Sequence, residues 1–275
     1  MKCFSIDLDG TLLNSHHEIT EKSNIALNQL QKEEYEVIIN TGRAYKDVIK
    51  FKELENRDFP IFCMNGSVLY SKSGEVLYEA TIPVSIYKMI FPLLKKVGVE
   101  VLVYTNHGNF PASLPTLHQK SKEEIDSLFR ECDYSAILNR YNLKIYKLIA
   151  FAHYSQLDKI EKVKEVLGAI PDISIASSFP NNVEITSKEA QKGKALLRYQ
   201  QIMDLSFDEI YAIGDGDNDL TQFEVATTSI AMGNAPSHIQ RKADFVTGKN
   251  DEDGFSHAVE YLLQLSGRNI NYNPL

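Results

Sequence analysis

Residues 4–11 of the chain read FSIDLDGT, an apolar run that ends in two carboxylates, Asp7 and Asp9, followed by Gly10. A short apolar run bounded by a turn residue is typical of a buried strand. Side chains two positions apart on a strand point to the same side, so we expect both carboxylates to face one space. Glycine tolerates a sharp turn, which indicates that the strand ends here. Two negative charges at this end of a buried strand point to a binding site.

Short apolar runs alternate with amphipathic stretches at both ends of the chain. Alternation of strands with helices predicts an α/β fold in which helices cover a parallel sheet. Both ends of the chain are therefore expected to build one layered core. The predicted strands of this core are FSIDL (4–8), YEVIINT (35–41), IFCMN (61–65), EIYAIG (209–214) and TSIAM (228–232).

The middle of the chain has a different pattern. The stretch VLYSKSGEVLYEA places a Ser-Gly turn between two apolar alternations, which predicts a hairpin. Further on, Ser121 and Glu124 have the spacing of a capping box at the start of a helix. We expect two domains, a core formed by 1–82 and 187–275, and an α+β domain inserted at 83–186.

Composition excludes several classes of protein. The 275 residues carry a formal net charge of −8, and no dense Lys/Arg cluster is available for a nucleic-acid backbone or an anionic membrane. The three cysteines lie far apart without CxxC spacing, which argues against disulfides and a zinc site. Neither a signal peptide nor an apolar run of about 18 residues is evident. These features predict a cytoplasmic protein with neither a nucleic-acid nor a membrane partner.

Polar and glycine residues concentrate at the ends of the predicted strands. In open parallel sheets, ligands bind outside the carboxyl ends of the strands. We therefore expect these strand ends to meet at one site. The four stretches are 7–11, 40–43, 65–66 and 214–219.

The last of these stretches, GDGDND at 214–219, contains three carboxylates and an amide. Oxygen ligands suit a hard cation, and Mg²⁺ is typically held by a few carboxylates together with water and a phosphate oxygen. A calcium loop of the EF-hand type requires Gly at position 6 and Glu at position 12. Counting from Asp215, these positions hold Leu220 and Ala226, so the pattern favours magnesium.

Two other strand-end features complete a set of groups for phosphoryl transfer. Thr41 and Gly42 offer a hydroxyl and a backbone N–H at a predicted helix start, which suits a phosphate oxygen. Lys192 brings a positive charge that offsets the charge of a phosphate and of the aspartates. One aspartate can then attack phosphorus while another serves as general acid and base.

Each of these residues also has a structural interpretation. Thr41 alone is typical of a helix cap, and Lys192 alone is typical of a solvated helix residue. Arg43 could bind phosphate but fits a structural salt bridge better, and Asp217 fits a solvated side chain as well as a site residue. Only the joint occurrence of the motifs favours catalysis.

Taken together, the motifs resemble the haloacid dehalogenase-like (HAD) superfamily, in its Cof-type branch with a type IIB cap. The resemblance implies a Rossmann-like parallel-sheet core, which carries the chemistry, and an inserted cap, which selects the substrate. The matching stretches are DLDGTLL (7–13), NTGR (40–43), NGS (65–67), KGKAL (192–196), GDGDNDL (214–220) and AMGNA (231–235).

The resemblance also implies roles for individual residues. Asp7 is implied to be the nucleophile, Asp9 the general acid and base, and Lys192 the residue that stabilises the transferring charge. A Mg²⁺ site is implied at Asp7, Asp215 and the backbone carbonyl of Asp9. The residues implied to bind substrate are Leu8, Thr41, Gly42, Lys192 and Asn218, with Asp219 orienting the site.

Two positions depart from the usual pattern of this branch. Asn40 precedes Thr41 where a small apolar residue is more usual, and GDGDNDL is followed by Thr-Gln-Phe at 221–223, where the branch often carries a methionine. Both departures concern local packing near the motifs rather than the groups that carry the chemistry.

The predicted function is hydrolysis of a small phosphorylated metabolite, with a sugar phosphate as one candidate, through an aspartyl phosphate and with Mg²⁺ as cofactor. Two alternatives stay open. A phosphomutase keeps the same site but returns the phosphoryl group to another hydroxyl. A regulatory protein that binds a phosphometabolite keeps the fold without turnover.

Overall fold

A computed structural model describes residues 1–55 and 57–266. Its contacts divide the chain into two compact units, each formed from separate stretches of sequence. The first unit contains Met1–Cys63, Leu69–Leu77 and the residues from Lys192 onward, and the second contains Met64–Val68 and Tyr78–Gln191.

The strands and helices alternate along most of the chain. The strands are β1 (Lys2–Ile6), β2 (Glu36–Asn40), β3 (Ile61–Cys63), β4 (Val68–Tyr70), β5 (Val76–Glu79), β6 (Glu100–Thr105), β7 (Gly108–Phe110), β8 (Ile145–Phe151), β9 (Ile173–Ala176), β10 (Asn182–Ser187), β11 (Glu209–Gly214), β12 (Thr228–Ala231) and β13 (Phe245–Val246). The α-helices are α1 (Glu21–Lys32), α2 (Tyr45–Val48), α3 (Val84–Val97), α4 (Leu114–Leu117), α5 (Lys122–Glu131), α6 (Tyr134–Ile137), α7 (Leu157–Leu167), α8 (Lys192–Met203), α9 (Leu220–Val225), α10 (Ser237–Gln240) and α11 (Gly254–Ser266).

The first unit is built on an eight-stranded sheet in the order β13-β12-β11-β1-β2-β3-β4-β5. The strands from β13 to β3 are parallel, and β1 lies between β11 and β2. The chain therefore runs outward from β1 in opposite directions on its two sides, which is the arrangement that opens a crevice at the carboxyl ends of the strands. The ends of β1, β2 and β11 meet there.

An apolar core anchors this sheet. Phe4 on β1 is fully buried and lies against the rings of Tyr35, Tyr211 and Phe255. Aromatic rings in edge and stacked contacts add to the free energy gained by burying their surface. The central strands are thus held firmly, and the residues that follow them start from a fixed frame.

Two helix starts matter for this unit. Thr20 caps α1 by accepting a hydrogen bond from the backbone N–H of Ser23. Lys192 is the first residue of α8, and the next residue, Gly193, brings this helix close to the backbone of Thr221 at α9.

The second unit contains an antiparallel sheet in the order β7-β6-β8-β10-β9. Helices α3 and α7 pack with it around a separate apolar core that includes Ile90, Val101 and Val163. The capping box predicted at Ser121 and Glu124 is present at the start of α5.

The predicted fold class, an α/β core with a parallel sheet and an α+β insertion, is confirmed. No helix within residues 1–55 and 57–266 combines the length and apolar character needed to cross a membrane.

The close approach of α8 and α9 gives a prediction about stability. A Cβ atom at Gly193 would lie 2.0 Å from the backbone carbonyl oxygen of Thr221, so Gly193→Ala forces the helices apart. We expect the free energy of unfolding to fall by about 2–3 kcal/mol, as for other overpacked sites. Urea denaturation measures this change. Gln201→Ala, at an exposed position of the same helix, is the matched control, and equal stability of the two variants would contradict the prediction.

Candidate active site

The residues that follow β1, β2 and β11 form the site in the first unit. Asp7 continues the ladder beyond β1, because its backbone N–H donates to the carbonyl of Ile213 at 3.1 Å. The loop then turns tightly, with Leu12 N–H donating to the Asp7 carbonyl at 3.3 Å. Gly10 lies at positive φ, and a Cβ there would lie 2.1 Å from Asp215 Oδ2, so only glycine lets these two loops approach.

Three aspartates come together at the ends of β1 and β11. Among the described residues, Asp7, Asp215 and Asp219 form a group in which one carboxylate oxygen of each lies within 4.8 Å of those of the other two. Asp7 and Asp219 are buried, and Asp215 is half-buried. The sequence predicted Asp7 and Asp215 as partners and placed Asp219 in a supporting role, whereas the geometry puts the Asp219 carboxylate within the cluster itself.

Asp219 is held by four donors. Its Oδ2 accepts the backbone N–H groups of Asp215 and Gly216, both at 2.9 Å. Its Oδ1 accepts from Lys192 Nζ at 2.6 Å and from Gln222 Nε2 at 2.7 Å. A fully buried carboxylate is stable only when its charge and lone pairs are compensated, and here both oxygens are.

Lys192 connects two of the aspartates. Its side chain is fully buried, and Nζ donates to Asp7 Oδ1 at 2.5 Å and to Asp219 Oδ1 at 2.6 Å. Burial alone would lower the pKa of Lys192, but the Asp219 and Asp7 carboxylates outweigh it and raise the pKa above its ordinary value. The ammonium therefore stays charged. Because Lys192 is fully buried, it is not the solvated helix residue that its structural interpretation described.

The acids of the cluster are harder to ionise than ordinary aspartates. Burial raises the pKa of Asp7 well above its usual value; Lys192 opposes this shift, and the Asp219 and Asp215 carboxylates add to it. Burial, reinforced by the Asp219 charge, raises the pKa of Asp215 to about 7. Crowded, partly desolvated carboxylates of this kind fit a hard divalent cation, which would favour their ionised forms.

Asp9 points to a different partner. Its two carboxylate oxygens accept from Arg43, with Nη2 at 2.6 Å from Oδ1 and Nε at 2.7 Å from Oδ2. His17 Nδ1 lies 3.6 Å from Asp9 Oδ1. The salt bridge expected for Arg43 is present, and it engages the residue predicted to be the general acid and base. Asp9 is not a member of the cluster of Asp7, Asp215 and Asp219, and the expectation that the Asp7 and Asp9 carboxylates face one space stays a prediction.

Thr41 is fully buried directly after β2, where its backbone N–H donates to the carbonyl of Phe62 at 2.8 Å. The predicted helix start at Thr41 and Gly42 is wrong: the next helix, α2, begins at Tyr45 with Ala44 at its cap position. The Thr41 hydroxyl instead accepts from the backbone N–H of Arg43 at 3.1 Å, which shapes the loop after β2. Thr41 therefore follows a strand end and does not cap a helix.

The remaining predicted residues occupy the same loops. The Leu8 side chain is fully buried in the core, so that only its backbone can serve a ligand. Asn218 is half-buried in the loop after β11. Asp217, also in that loop, accepts from His238 Nε2 at 2.7 Å and is not part of the aspartate cluster. Asn65, at the predicted strand end 65–66, belongs to the second unit, and its Nδ2 donates to Glu184 Oε2 at 2.6 Å.

The sequence analysis missed one residue of the site. Asn234 Nδ2 donates to the Gly10 carbonyl at 2.8 Å and to Asp215 Oδ2 at 3.2 Å. It thereby joins the loops after β1 and β11. The motif AMGNA contains Asn234, so the signal was present in the sequence without an assigned role.

Comparison with known proteins supplies an independent view of the chain. The family model described as haloacid dehalogenase-like hydrolase matches residues 4–259. "Phosphatase YwpJ" of Bacillus subtilis (strain 168) is 30% identical, and the alignment covers 96% of this chain and 100% of the relative. "5-amino-6-(5-phospho-D-ribitylamino)uracil phosphatase YwtE" of the same organism is 31% identical, with 96% and 98% covered.

Solved structures give the same result for the fold. A haloacid dehalogenase-like hydrolase from B. subtilis matches with a TM-score of 0.83 and 28% identity, covering 95% of this chain and 100% of that one. The HAD subclass IIB sugar phosphatase BT4131 matches with a TM-score of 0.77 and 24% identity, covering 95% and 99%. At that identity the second likeness concerns the fold alone.

The raised pKa of Asp215 gives a prediction about cation binding. Below about pH 7 a proton competes with the cation for this carboxylate, so Mg²⁺ should bind about 10-fold more tightly at pH 8 than at pH 6 and should release a proton. Isothermal titration calorimetry in buffers of different ionisation enthalpy measures both quantities.

The matched variants for this experiment are Asp215→Asn, which should lose Mg²⁺ binding, and Asp217→Asn, which should keep it because Asp217 lies outside the cluster. Equal affinity of the wild-type protein at both pH values would contradict the assignment of Asp215.

Proposed function

Because this chain belongs to the haloacid dehalogenase-like hydrolase family, we propose that it is a Mg²⁺-dependent phosphatase that hydrolyses a small phosphorylated metabolite through an aspartyl phosphate. Membership confirms the resemblance to the superfamily, and the relatives' names support the expected class, a phosphoric monoester hydrolase. The proposal adds three points to this class: Mg²⁺ as the cofactor, an aspartyl phosphate as the intermediate, and a small phosphorylated metabolite as the substrate.

One observation carries the proposal. The buried Lys192 ammonium bridges Asp7 to Asp219 within a cluster of three carboxylates. Such a site has a nucleophile, a fixed positive charge for the transferring phosphoryl group and the oxygen ligands for a hard cation. A bound Mg²⁺ would supply neutralisation of the phosphate charge, and Asp7, Asp215 and the backbone carbonyl of Asp9 are the residues proposed to hold it.

In the first half of the proposed reaction, a carboxylate oxygen of Asp7 attacks phosphorus and the bond to the leaving oxygen breaks. Asp9 gives its proton to that oxygen, so the product leaves as an alcohol. Lys192 holds Asp7 in place and stays positively charged next to the phosphoryl group. The Thr41 hydroxyl, the Gly42 backbone and the Asn218 side chain are proposed to contact the phosphate and substrate.

In the second half, Asp9 accepts a proton from a water molecule that attacks the aspartyl phosphate. The acyl phosphate bond breaks at phosphorus, which regenerates Asp7 and yields inorganic phosphate. Arg43 engages both oxygens of Asp9 in the structure, and each oxygen keeps a further lone pair through which Asp9 can exchange a proton. Arg43 is thus placed to orient the Asp9 carboxylate.

The proposed substrate is small and carries one phosphate ester. YwtE is named for a phosphoribitylamino-uracil, a compound that carries a phosphorylated sugar alcohol. A phosphorylated sugar or sugar alcohol is therefore the substrate class proposed here. We propose that the second unit selects among such substrates, since none of the candidate catalytic groups lies within it, and that the protein acts in the cytoplasm.

Screening a panel of phosphorylated metabolites with Mg²⁺ tests this proposal. We expect release of inorganic phosphate from p-nitrophenyl phosphate and from at least one sugar or polyol phosphate, with loss of activity in EDTA and recovery on adding Mg²⁺. A phosphomutase would instead need a bisphosphorylated sugar as activator and would isomerise its substrate. Binding of phosphometabolites without any turnover would favour the regulatory alternative and contradict the proposal.

The unequal roles of Asp7 and Asp9 give a second prediction. Asp7→Asn removes the nucleophile, so neither a phosphoenzyme nor product should form. Asp9→Asn keeps the nucleophile but loses general acid–base catalysis, which should slow hydrolysis by about 10²–10⁴-fold. With a substrate that has a good leaving group, the Asp9 variant should accumulate the intermediate.

Mass spectrometry after an acid quench measures this difference as one added phosphoryl group on the Asp9 variant only. Asp217→Asn is the control, because Asp217 is a partly exposed aspartate near the site that pairs with His238 and that the mechanism does not use. An adduct on the Asp7 variant would overturn the assignment of the nucleophile.

A further inference from the structure

We propose that Asn40 and Gln222 are positioning residues that hold Lys192 at both of its ends, so that its ammonium stays between Asp7 and Asp219. This inference rests on the proposed function, because Lys192 is taken to stabilise the phosphoryl group. It assigns a shared role to Asn40, which is one departure from the usual pattern of the branch, and to Gln222, which lies within the other, Thr-Gln-Phe at 221–223.

Gln222 acts on the ammonium end through Asp219. The Gln222 side chain is fully buried, and its Nε2 donates to Asp219 Oδ1 at 2.7 Å. The same oxygen accepts from Lys192 Nζ at 2.6 Å. Gln222 therefore helps to fix the acceptor toward which the ammonium points.

Asn40 acts on the backbone end. Its Nδ2 donates to the backbone carbonyl of Lys192 at 3.2 Å, at the first turn of α8. Since β2 carries Asn40, this hydrogen bond connects the start of the helix to the central sheet. The Lys192 side chain then extends from a backbone whose position is set by the sheet.

Ser5 joins the two amides into one network. Its hydroxyl donates to Gln222 Oε1 at 2.7 Å and accepts from Asn40 Nδ2 at 3.2 Å. Asn40 Nδ2 also lies 3.4 Å from Gln222 Oε1. These three side chains are fully buried, so each restricts the orientation of the next.

The network is costly as a purely structural device. Asn40 Oδ1 is buried, and none of the described residues donates a hydrogen bond to it. An unpaired buried acceptor lowers stability, whereas a small apolar residue at this position carries no such cost. The Asn40 side chain therefore does not serve mainly to stabilise the fold. Its N–H groups explain its presence better, because they position Lys192.

The test compares Gln222→Met, which keeps a similar side-chain length without its hydrogen bonds, with Asn40→Ala and the double variant. Gln201→Met and Asn28→Ala, at exposed positions of α8 and α1, are the matched controls. For each single variant we expect kcat on p-nitrophenyl phosphate with Mg²⁺ to fall about 10- to 100-fold and KM to change less than about threefold. The controls should match the wild type.

The double variant separates positioning from folding. Removing both amides removes most of the groups that a single substitution leaves unpaired, so its melting temperature should exceed that of the less stable single variant. Its kcat should stay low, because neither amide then restrains the Lys192 backbone or the Asp219 carboxylate. Recovery of kcat together with the melting temperature would mean a structural role only and would overturn the proposal.

Crystal structures of the wild type and Gln222→Met supply a readout that does not depend on turnover. We expect Lys192 Nζ to lose its contact with Asp7, Asp219 or both in the variant. Retention of both contacts, or a kcat within about threefold of the wild type for both single variants, would overturn the proposal. If the wild type hydrolyses no phosphate ester, the proposed function fails, and these structures alone decide on the positioning of Lys192. If Gln222→Met does not fold, the structure and kcat of Asn40→Ala decide.

Discussion

The buried ammonium of Lys192 is the interaction on which the site depends. Asp7, Asp215 and Asp219 lie within 4.8 Å of one another, and one ammonium group touches two of them. If all three acids are ionised, one positive charge leaves two negative charges uncompensated, which is the charge that a divalent cation supplies. Burial raises the pKa of Asp7 and of Asp215, and the neighbouring carboxylates add to this shift. This surplus of negative charge fits the divalent cation proposed for the site.

This charge arrangement restricts the fold around it. A buried ion pair contributes to stability only with good geometry and further hydrogen bonds, because removing charges from water is costly. Here the loop after β11 provides two backbone N–H groups to Asp219, and the start of α8 delivers Lys192. Both features depend on the central parallel strands, whose carboxyl ends meet on either side of β1. The apolar core that packs around these strands therefore helps to fix the positions of Lys192 and the three aspartates.

Much of this organisation is readable from the sequence because it is local or repeats with a regular period. Strand runs, the helix that begins at Lys192 and the acids after the strands all follow from such patterns. Pairings between distant residues do not. The ion pair of Asp9 with Arg43 joins two loops that no local pattern relates, and the helix predicted at Thr41 begins instead at Tyr45.

The clearest case of that difference is the pair Asn40 and Gln222, which are 182 positions apart in the chain. Considered singly, each is a polar residue in an apolar surrounding and would leave hydrogen-bonding groups unpaired. Together with Ser5 they form one network, in which Gln222 Oε1 accepts from Ser5 and from Asn40 Nδ2, and the amide N–H groups also reach Lys192 and Asp219. Two departures that looked like separate packing irregularities therefore act as one polar unit, and this unit is directed at the ammonium on which the aspartate cluster depends.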